Sequence, residues 1–203
     1  MKILKRVIFI FLSLLVSPMI YYNIRRFKIG DMIRKDVDRY VKEGIITTDN
    51  NKALLSLFLR RDLCFRDVFY YRCHQQCHIL RFLFRPYPNL VIDSSVEADG
   101  GAFFFHHPFS TYINASYIGY GCTFRNNTTI GNKNVNGRLI APRLSGYNDI
   151  GVNSCIIGGI EIGVHSVVGA GSVVVKDVPS FAVVAGNPAV VIKLLNDRED
   201  REQ

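Results

Sequence analysis

Residues 150–179 read IGVNSC, IIGGIE, IGVHSV, VGAGSV and VVKDVP, five hexapeptides in one register. An aliphatic residue opens each of them: Ile150, Ile156, Ile162, Val168 and Val174. Gly usually follows, and a small or aliphatic residue stands four places on. A period of six is neither the 3.6-residue stripe of a helix nor the two-residue alternation of a lone strand. It fits a coil with three short flat faces, one hexapeptide per face, whose aliphatic residues stack inward in ladders. Upstream, Ile118, Phe124 and Ile130 hold the same frame. Two interruptions stand out. Between Ile130 and Ile150 the chain has fourteen residues more than one period needs, which predicts an ejected loop at 131–149. A coil scaffold does not need such a loop, so it is expected to bind something. From Ile113 to Ile118 the step is five, just after His106-His107, a slip that would re-aim nearby side chains.

The chain has 203 residues, enough for one ordinary domain with an appendage and for a real core. Hydrophobic residues make up 48%, too many for a disordered chain and too few for a polytopic membrane protein. The formal charge of +8 is unevenly held. Residues 1–45 contain 10 Lys/Arg and 4 Asp/Glu, residues 46–91 contain 7 and 3, and residues 92–203 contain 8 and 10. The hexapeptide half is slightly acidic, so no nucleic-acid partner is expected. The basic first part instead suits an anionic surface such as a membrane. Five widely spread cysteines, an odd number, fit a reducing compartment rather than a disulfide framework.

Residues 7–24, VIFIFLSLLVSPMIYYNI, lie between Lys2, Lys5 and Arg6 on one side and Arg25, Arg26 and Lys28 on the other. As a helix they would reach about 27 Å, marginal for a bilayer core, and Ser17-Pro18-Met19 makes a poor cleavage site. Cations on both flanks and a central Pro18 suit a segment lying in the membrane interface; packing on the chain itself or on another subunit is the alternative. Met32, Ile33, Val37, Tyr40 and Val41 then fall at spacings of three and four, an amphipathic helix ending at Gly44. A polar break at 48–51 precedes a second helical stretch, 52–85, closed by Pro86 and Pro88. On a helix its CHQQCH run (73–78) would put Cys73 beside Cys77 and His74 beside His78. Nothing downstream completes a zinc set, so it reads as a packed helix face and no metal is expected. The predicted organisation is a hydrophobic basic segment (1–28), a helical region (29–88), a coil (89–195) and a charged tail (196–203).

Four stretches of the chain resemble the hexapeptide-repeat acyltransferases: FRDVFYYR (65–72), HPFSTYINA (107–115), the hexapeptides, and AGNPA (185–189) with a basic residue, Lys193, after it. The resemblance covers residues 60–195 and is strongest to serine acetyltransferases and their relatives that acetylate polysaccharides. It implies a mainly β fold, a left-handed parallel β-helix preceded by an α-helical region. It also implies acetyl-CoA as co-substrate and a homotrimer with each cleft between neighbouring coils. The implied reaction is O-acetyl transfer to serine or a related small acceptor, or to a sugar in capsule, O-antigen or exopolysaccharide synthesis. With the basic N-terminus, this suggests a cytoplasmic enzyme at the inner face of the cell membrane.

Acetyl transfer from a thioester to a hydroxyl needs a base titrating near neutrality and donors for the oxyanion, but no metal. By resemblance His107 is the base, with His106 as the alternative; both could instead cap the Phe103–Phe105 ladder. Resemblance also gives Asp93, 14 residues before His107, as the carboxylate that orients it, with Glu97 and Asp99 left open. His165, at the fourth place of its hexapeptide, should point outward at a turn as an exposed polar residue. Asn114, Asn126 and Asn127 are candidates for holding the acceptor or the oxyanion, or else form an asparagine turn ladder. The pantetheine arm is implied along Gly169-Ala170-Gly171 and Gly186-Asn187, with Lys176 and Lys193 for the CoA phosphates. Serine acetyltransferases have a second histidine in the ejected loop. This loop has none, offering Lys133, Arg138, Arg143 and Tyr147, of which Arg143 could take a carboxylate. Serine is thereby weakened and a sugar gains. Two other readings stand beside these. One is a zinc hydratase on the same coil, which needs three histidines where two at best can meet. The other is a non-catalytic, membrane-attached trimeric scaffold.

Overall fold

The computed structural model of the chain describes residues 2–46, 50–59 and 64–195. The predicted charged tail, 196–203, and residues 48 and 49 of the polar break at 48–51 lie outside these residues, while Asn50 and Asn51 open a helix. Five helices come first: α1 (Lys2–Phe27), α2 (Gly30–Lys42), α3 (Asn50–Leu59), α4 (Phe65–Arg72) and α5 (His78–Leu83). Gly44 ends α2 as expected. With φ at 69° its N–H donates to Val41 O at 3.0 Å, and Ile45 N–H donates to Tyr40 O at 3.2 Å. This crossed pair closes a helix through a left-handed glycine. The helices share one core, with Val16 and Ile20 of α1, Ile33, Val37 and Tyr40 of α2, Leu57 and Phe58 of α3, and Phe69 and Tyr70 of α4. Every residue of α4 is buried.

The stretch 52–85 is not one continuous helix. His74 and Gln75 take left-handed φ values of 48° and 59°, which end α4 and start a turn. Cys73 and Cys77 therefore cap two different helices, and His74 and His78 share no helix face.

From Leu90 the chain winds a parallel coil of about five turns. The first turn is β1 (Leu90–Ile92), β2 (Glu97–Ala98) and β3 (Phe103–His106); the second is β4 (Thr111–Ile113), β5 (Tyr117–Ile118) and β6 (Cys122–Arg125). The third starts with β7 (Thr129–Gly131) and leaves the coil as an antiparallel hairpin, β8 (Lys133–Val135) and β9 (Arg138–Ile140). It returns as β10 (Arg143–Leu144) and β11 (Asp149–Ile150). Then come β12 (Cys155–Ile157), β13 (Glu161–Ile162) and β14 (Val167–Val168), followed by β15 (Val173–Val174) and β16 (Ala182–Gly186). The last strand, β17 (Ala189–Leu194), folds back antiparallel on β16. Face A stacks β1, β4, β7, β12 and β15; face B stacks β2, β5, β10 and β13; face C stacks β3, β6, β11, β14 and β16. The hexapeptide aliphatics form the interior. Ile113, Ile130 and Ile156 stack under face A, Ile118, Leu144 and Ile162 under face B, and Phe124, Ile150 and Val168 under face C, all at 0–1% exposure.

The register corrects the expected loop of 131–149. Leu144 pairs in frame with Ile118 and Ile162, so residues 143–149 belong to the coil and only 132–142 are ejected. Leu144 lies six residues before Ile150, which makes it an ordinary inward position of the repeat.

Helices and coil are locked together by a buried ion pair. Arg72 Nε and Nη2 donate to Asp36 at 3.0 and 3.1 Å, with side chains 2% and 0% exposed. The same guanidinium donates to Ala98 O and Asp99 O of the coil, and Asp36 accepts from Gly101 N–H at 2.6 Å. Burial raises the Asp36 carboxyl, and Arg72 opposes that rise.

A histidine edge and a loop edge on the coil

Each coil turn has three corners, and corners of successive turns stack into edges about 4.8 Å per rung. Where face C leads into face A, the residues Ser110, Asn127, Asn153 and Gly171 occupy one position on four successive turns. All four are left-handed, with φ of 53°, 57°, 57° and 70°. The N–H groups of Asn127, Asn153 and Gly171 donate to Phe109 O, Asn126 O and Val152 O of the turn before. Beneath them Thr111, Thr128, Ser154 and Ser172 are buried at 0–1% exposure. Thr128 and Ser154 donate to the carbonyls of Arg125 and Gly151 at 2.8 and 2.6 Å.

This edge is interrupted only at its first rung. From Phe124 to Ile130, Ile150 to Ile156 and Val168 to Val174 the step is six, but from Phe105 to Ile113 it is eight. His107-Pro108 is the two-residue surplus. His107 stands out of the corner with φ at 56°, exposed beside the exposed His106, their ring centroids 4.8 Å apart. Neither imidazole has a hydrogen-bond partner among the described residues. The slip noticed at Ile113–Ile118 is thus the smaller irregularity, because the insertion before it is what lifts the histidine.

Further along the edge lie Asn126 and Asn127, then Gly169-Ala170-Gly171, then Gly186 and Asn187 at the end of β16. Asn127 is engaged: its Nδ2 donates to Asn153 Oδ1 at 2.6 Å, the start of an asparagine ladder. The Asn126 carboxamide has no such partner among the described residues. At Gly171 an added Cβ would meet nothing within 4 Å, so the edge is open there for a ligand lying against the backbone. At Gly151 a Cβ would press on Ala170 N at 2.7 Å, so that glycine serves coil packing. The open backbone at Gly171 and the uncommitted Asn126 carboxamide are what this edge offers to an extended, polar cofactor arm.

The other residues singled out in the sequence lie elsewhere. Asp93 and Asn114 stand where face A leads into face B, the edge that also ejects the hairpin 132–142. Face A, about 10 Å across, separates them from His107 within one chain. Asp93 Oδ1 accepts from Ser95 N and Oγ at 2.9 and 2.7 Å, and these bonds hold its carboxyl below the usual carboxylate range. Glu97 is on face B, and Asp99 accepts from Tyr117 OH at 2.8 Å. Arg143, also on face B, lays its guanidinium 4.1 Å over the Tyr117 ring. Lys176 is exposed on the loop edge and Lys193 on β17.

His165 is not the exposed turn residue expected. On the third edge its ring is half-buried between Tyr147 and Phe181, with centroids 4.6 and 5.1 Å away and near-parallel planes. Stacking the same corner position on successive turns makes such a column, which a single hexapeptide cannot reveal. His165 therefore lies on a different edge from His107. Next to this column, a groove of about 720 Å³ opens between α2 and the coil, lined by Lys35, Asp38, Lys42, Asp99, Tyr120 and Tyr147. No sequence motif marked it. It lacks a free imidazole, so it offers no base comparable to His107.

A scan against models of known protein families finds no match. The chain is 55% identical over 49 residues to 2,3,4,5-tetrahydropyridine-2,6-dicarboxylate N-acetyltransferase of Clostridium perfringens, over 24% of this chain and 21% of that protein. It is 37% identical over 82 residues to serine acetyltransferase 2 of Arabidopsis thaliana, over 40% of this chain and 25% of that protein. The similarity thus spans a quarter or less of the length of these curated relatives. Among solved structures, serine acetyltransferase of Brucella abortus in complex with coenzyme A matches with a TM-score of 0.69 at 18% identity, over 90% of this chain and 75% of that one. Serine acetyltransferase of Neisseria gonorrhoeae matches with a TM-score of 0.66 at 20% identity, over 87% and 72%. These likenesses establish the fold, the left-handed parallel β-helix with preceding helices.

Proposed function

We propose that this serine acetyltransferase-like hexapeptide-repeat chain is an acetyl-CoA-dependent O-acetyltransferase. The observation behind the proposal is that the inserted His107 shares one edge with the open backbone at Gly171, with Gly169-Ala170 just before it, and with Gly186-Asn187. A thioester lying along that edge would bring its carbonyl toward the histidines, about three rungs or 14 Å from Gly171. Acetyl-CoA supplies an already activated acyl group. His107 accepts the proton of the attacking hydroxyl, and His106 beside it is the alternative base. Asn126, whose carboxamide is uncommitted, donates to the oxyanion or holds the acceptor, while Asn127 keeps the corner in shape. Lys193 is proposed as a partner for the CoA phosphates, and Lys176, on the loop edge, as one that a neighbouring chain would supply.

The loop edge completes this reading only in an oligomer. In a homotrimer each chain would set its histidine edge against the loop edge of a neighbour. Asp93, Asn114 and the hairpin 132–142 would then approach His107 across the interface. Oδ2 of Asp93, left free by Ser95, could hold the second imidazole nitrogen. Exposed Val91, Tyr112, Val190 and Ile192 are apolar surface that such contacts would cover. For the acceptor we retain serine or a related small hydroxyl compound. The lack of histidine in the ejected hairpin favours a sugar hydroxyl as the second reading. The basic N-terminus suits work at the inner face of the cell membrane.

The test is free-thiol release from acetyl-CoA with serine and a panel of sugars and oligosaccharides. His107→Ala should lower turnover at least about a hundredfold. Turnover near that of the wild type would reject His107. No acetyl-CoA-dependent rise in Tm would favour the non-catalytic scaffold.

A further inference from the structure

Two helices expose apolar side chains where surface helices usually carry polar ones. On α1 the exposed positions recur at helical spacing: Leu14, Leu15, Pro18, Tyr21 and Tyr22, then Arg25 and Arg26. The opposite face, with Val16, Ile20 and Asn23, is buried in the helical core. On α5 Leu80 turns inward, while Ile79, Phe82 and Leu83 are 67%, 81% and 50% exposed. A mainly apolar cavity of about 430 Å³ joins the two helices, lined by Met19, Tyr22 and Arg26 on one side and His78 and Ile79 on the other. The two stretches that carry the patch hold charge of one sign, with Arg81 also facing the buried Asp67 carboxyl. Residues 14–30 contain Arg25, Arg26 and Lys28, residues 73–92 contain Arg81 and Arg85, and neither stretch contains Asp or Glu.

We propose that α1 and α5 form one docking plate for an anionic phospholipid bilayer. This rests on the reading of residues 1–28 as membrane-associating and extends it to α5, which the sequence did not single out. Leu14, Leu15, Ile79 and Phe82 enter the boundary between headgroups and acyl chains, and the exposed arginines meet lipid phosphates. Tyr21 and Tyr22, apolar with a polar tip, suit the interface between them. No helix among the described residues is long and apolar enough to cross a membrane. A second copy is a poorer occupant. A twofold contact through this face would bring two sets of cations together with no carboxylate to receive them.

The test is cosedimentation of the full chain with vesicles of equal phosphatidylglycerol and phosphatidylcholine, against vesicles of phosphatidylcholine alone. Two surface variants are compared, Ile79→Ser/Phe82→Ser on α5 and Arg25→Ser/Arg26→Ser on α1. Deleting α1 is avoided, because that would uncover Val16 and Ile20. The wild type should prefer anionic vesicles. The α5 variant should bind at least about tenfold more weakly with an unchanged Tm. The arginine variant should lose about twenty-fivefold on anionic vesicles, near fivefold per cation. Wild-type binding by the α5 variant with a loss in the arginine variant would overturn the plate and leave α1 as the membrane element. No vesicle binding by the wild type would overturn both readings. Self-association without lipid that is abolished by Ile79→Ser/Phe82→Ser would give the face to a second copy.

Discussion

Gly171 separates the needs of the coil from the needs of a ligand. It occupies the same left-handed corner as Asn127 and Asn153, but with open space where its Cβ would stand. Gly171→Asn extends the asparagine ladder by one rung. A left-handed L-residue costs roughly 1–2 kcal/mol and least for Asn, and replacing glycine recovers about 0.5–1 kcal/mol from the unfolded chain. A carboxamide contact to Asn153, like that between Asn127 and Asn153 at 2.6 Å, offsets more of the cost. The net loss is about 1 kcal/mol or less, a Tm decrease of roughly 2–4 °C in a chain of this size. The new side chain nevertheless fills the open edge, and acetyl-CoA should bind at least about tenfold more weakly, equivalent to ~1.4 kcal/mol. Tm and calorimetric titration with acetyl-CoA measure the two effects separately. A folded Gly171→Asn protein that binds acetyl-CoA as tightly as the wild type would refute the cofactor track along this edge. A protein that does not fold would refute the equivalence of the corners.

Arg72→Leu should cost about 3–5 kcal/mol in urea denaturation, because Asp36 would remain buried without its partner. Without the guanidinium the Asp36 carboxyl rises further above its ordinary value, so the native chain holds a proton that the unfolded chain releases. The deficit of the variant should therefore shrink as the pH is lowered toward that of the unfolded carboxyl, which paired denaturations at two pH values would detect. Burial lifts the Asp67 carboxyl to about 7, against the accepted bond from Tyr87 N–H at 2.9 Å. Its folded value lies above its unfolded one, so stability should fall as the pH rises from the ordinary carboxylate range to about 7 and level off above it, and Asp67→Asn should flatten that dependence in Tm measurements. His165→Ala should lower Tm through loss of two ring contacts, each worth about 0.5–1.5 kcal/mol beyond burial, while leaving turnover intact. A hundredfold loss of turnover in that variant would return His165 to the list of candidate bases.

The period of six was enough to specify the coil. Each inward aliphatic residue is a local choice, and Ile150, Ile156, Ile162, Val168 and Val174 repeat it without reference to the rest of the chain. Gly44 was equally legible, since a glycine after a 3.6-residue stripe is itself the signal for the closing turn. The neighbourhood of the site depended on register between turns, which pairs residues 16 to 26 positions apart, as in Val168 with Val184 and Ile130 with Ile156. That register confirmed Leu144 in the coil, a place its six-residue step to Ile150 already permitted, and exposed His107-Pro108 as the insertion. It also placed Asp93 across face A from the histidines and put His165 inside an aromatic column. The CHQQCH turn shows the same limit among the helices. Its composition permits one continuous helix, but Tyr70 OH donates to Leu80 O and Phe84 O at 3.1 and 2.7 Å. Those bonds require α5 to fold back beside α4. Sequence alone determined which residues face inward, because burial follows a local period. Tertiary structure decided which outward residues meet, because loop length and insertion set the corner at which each one emerges.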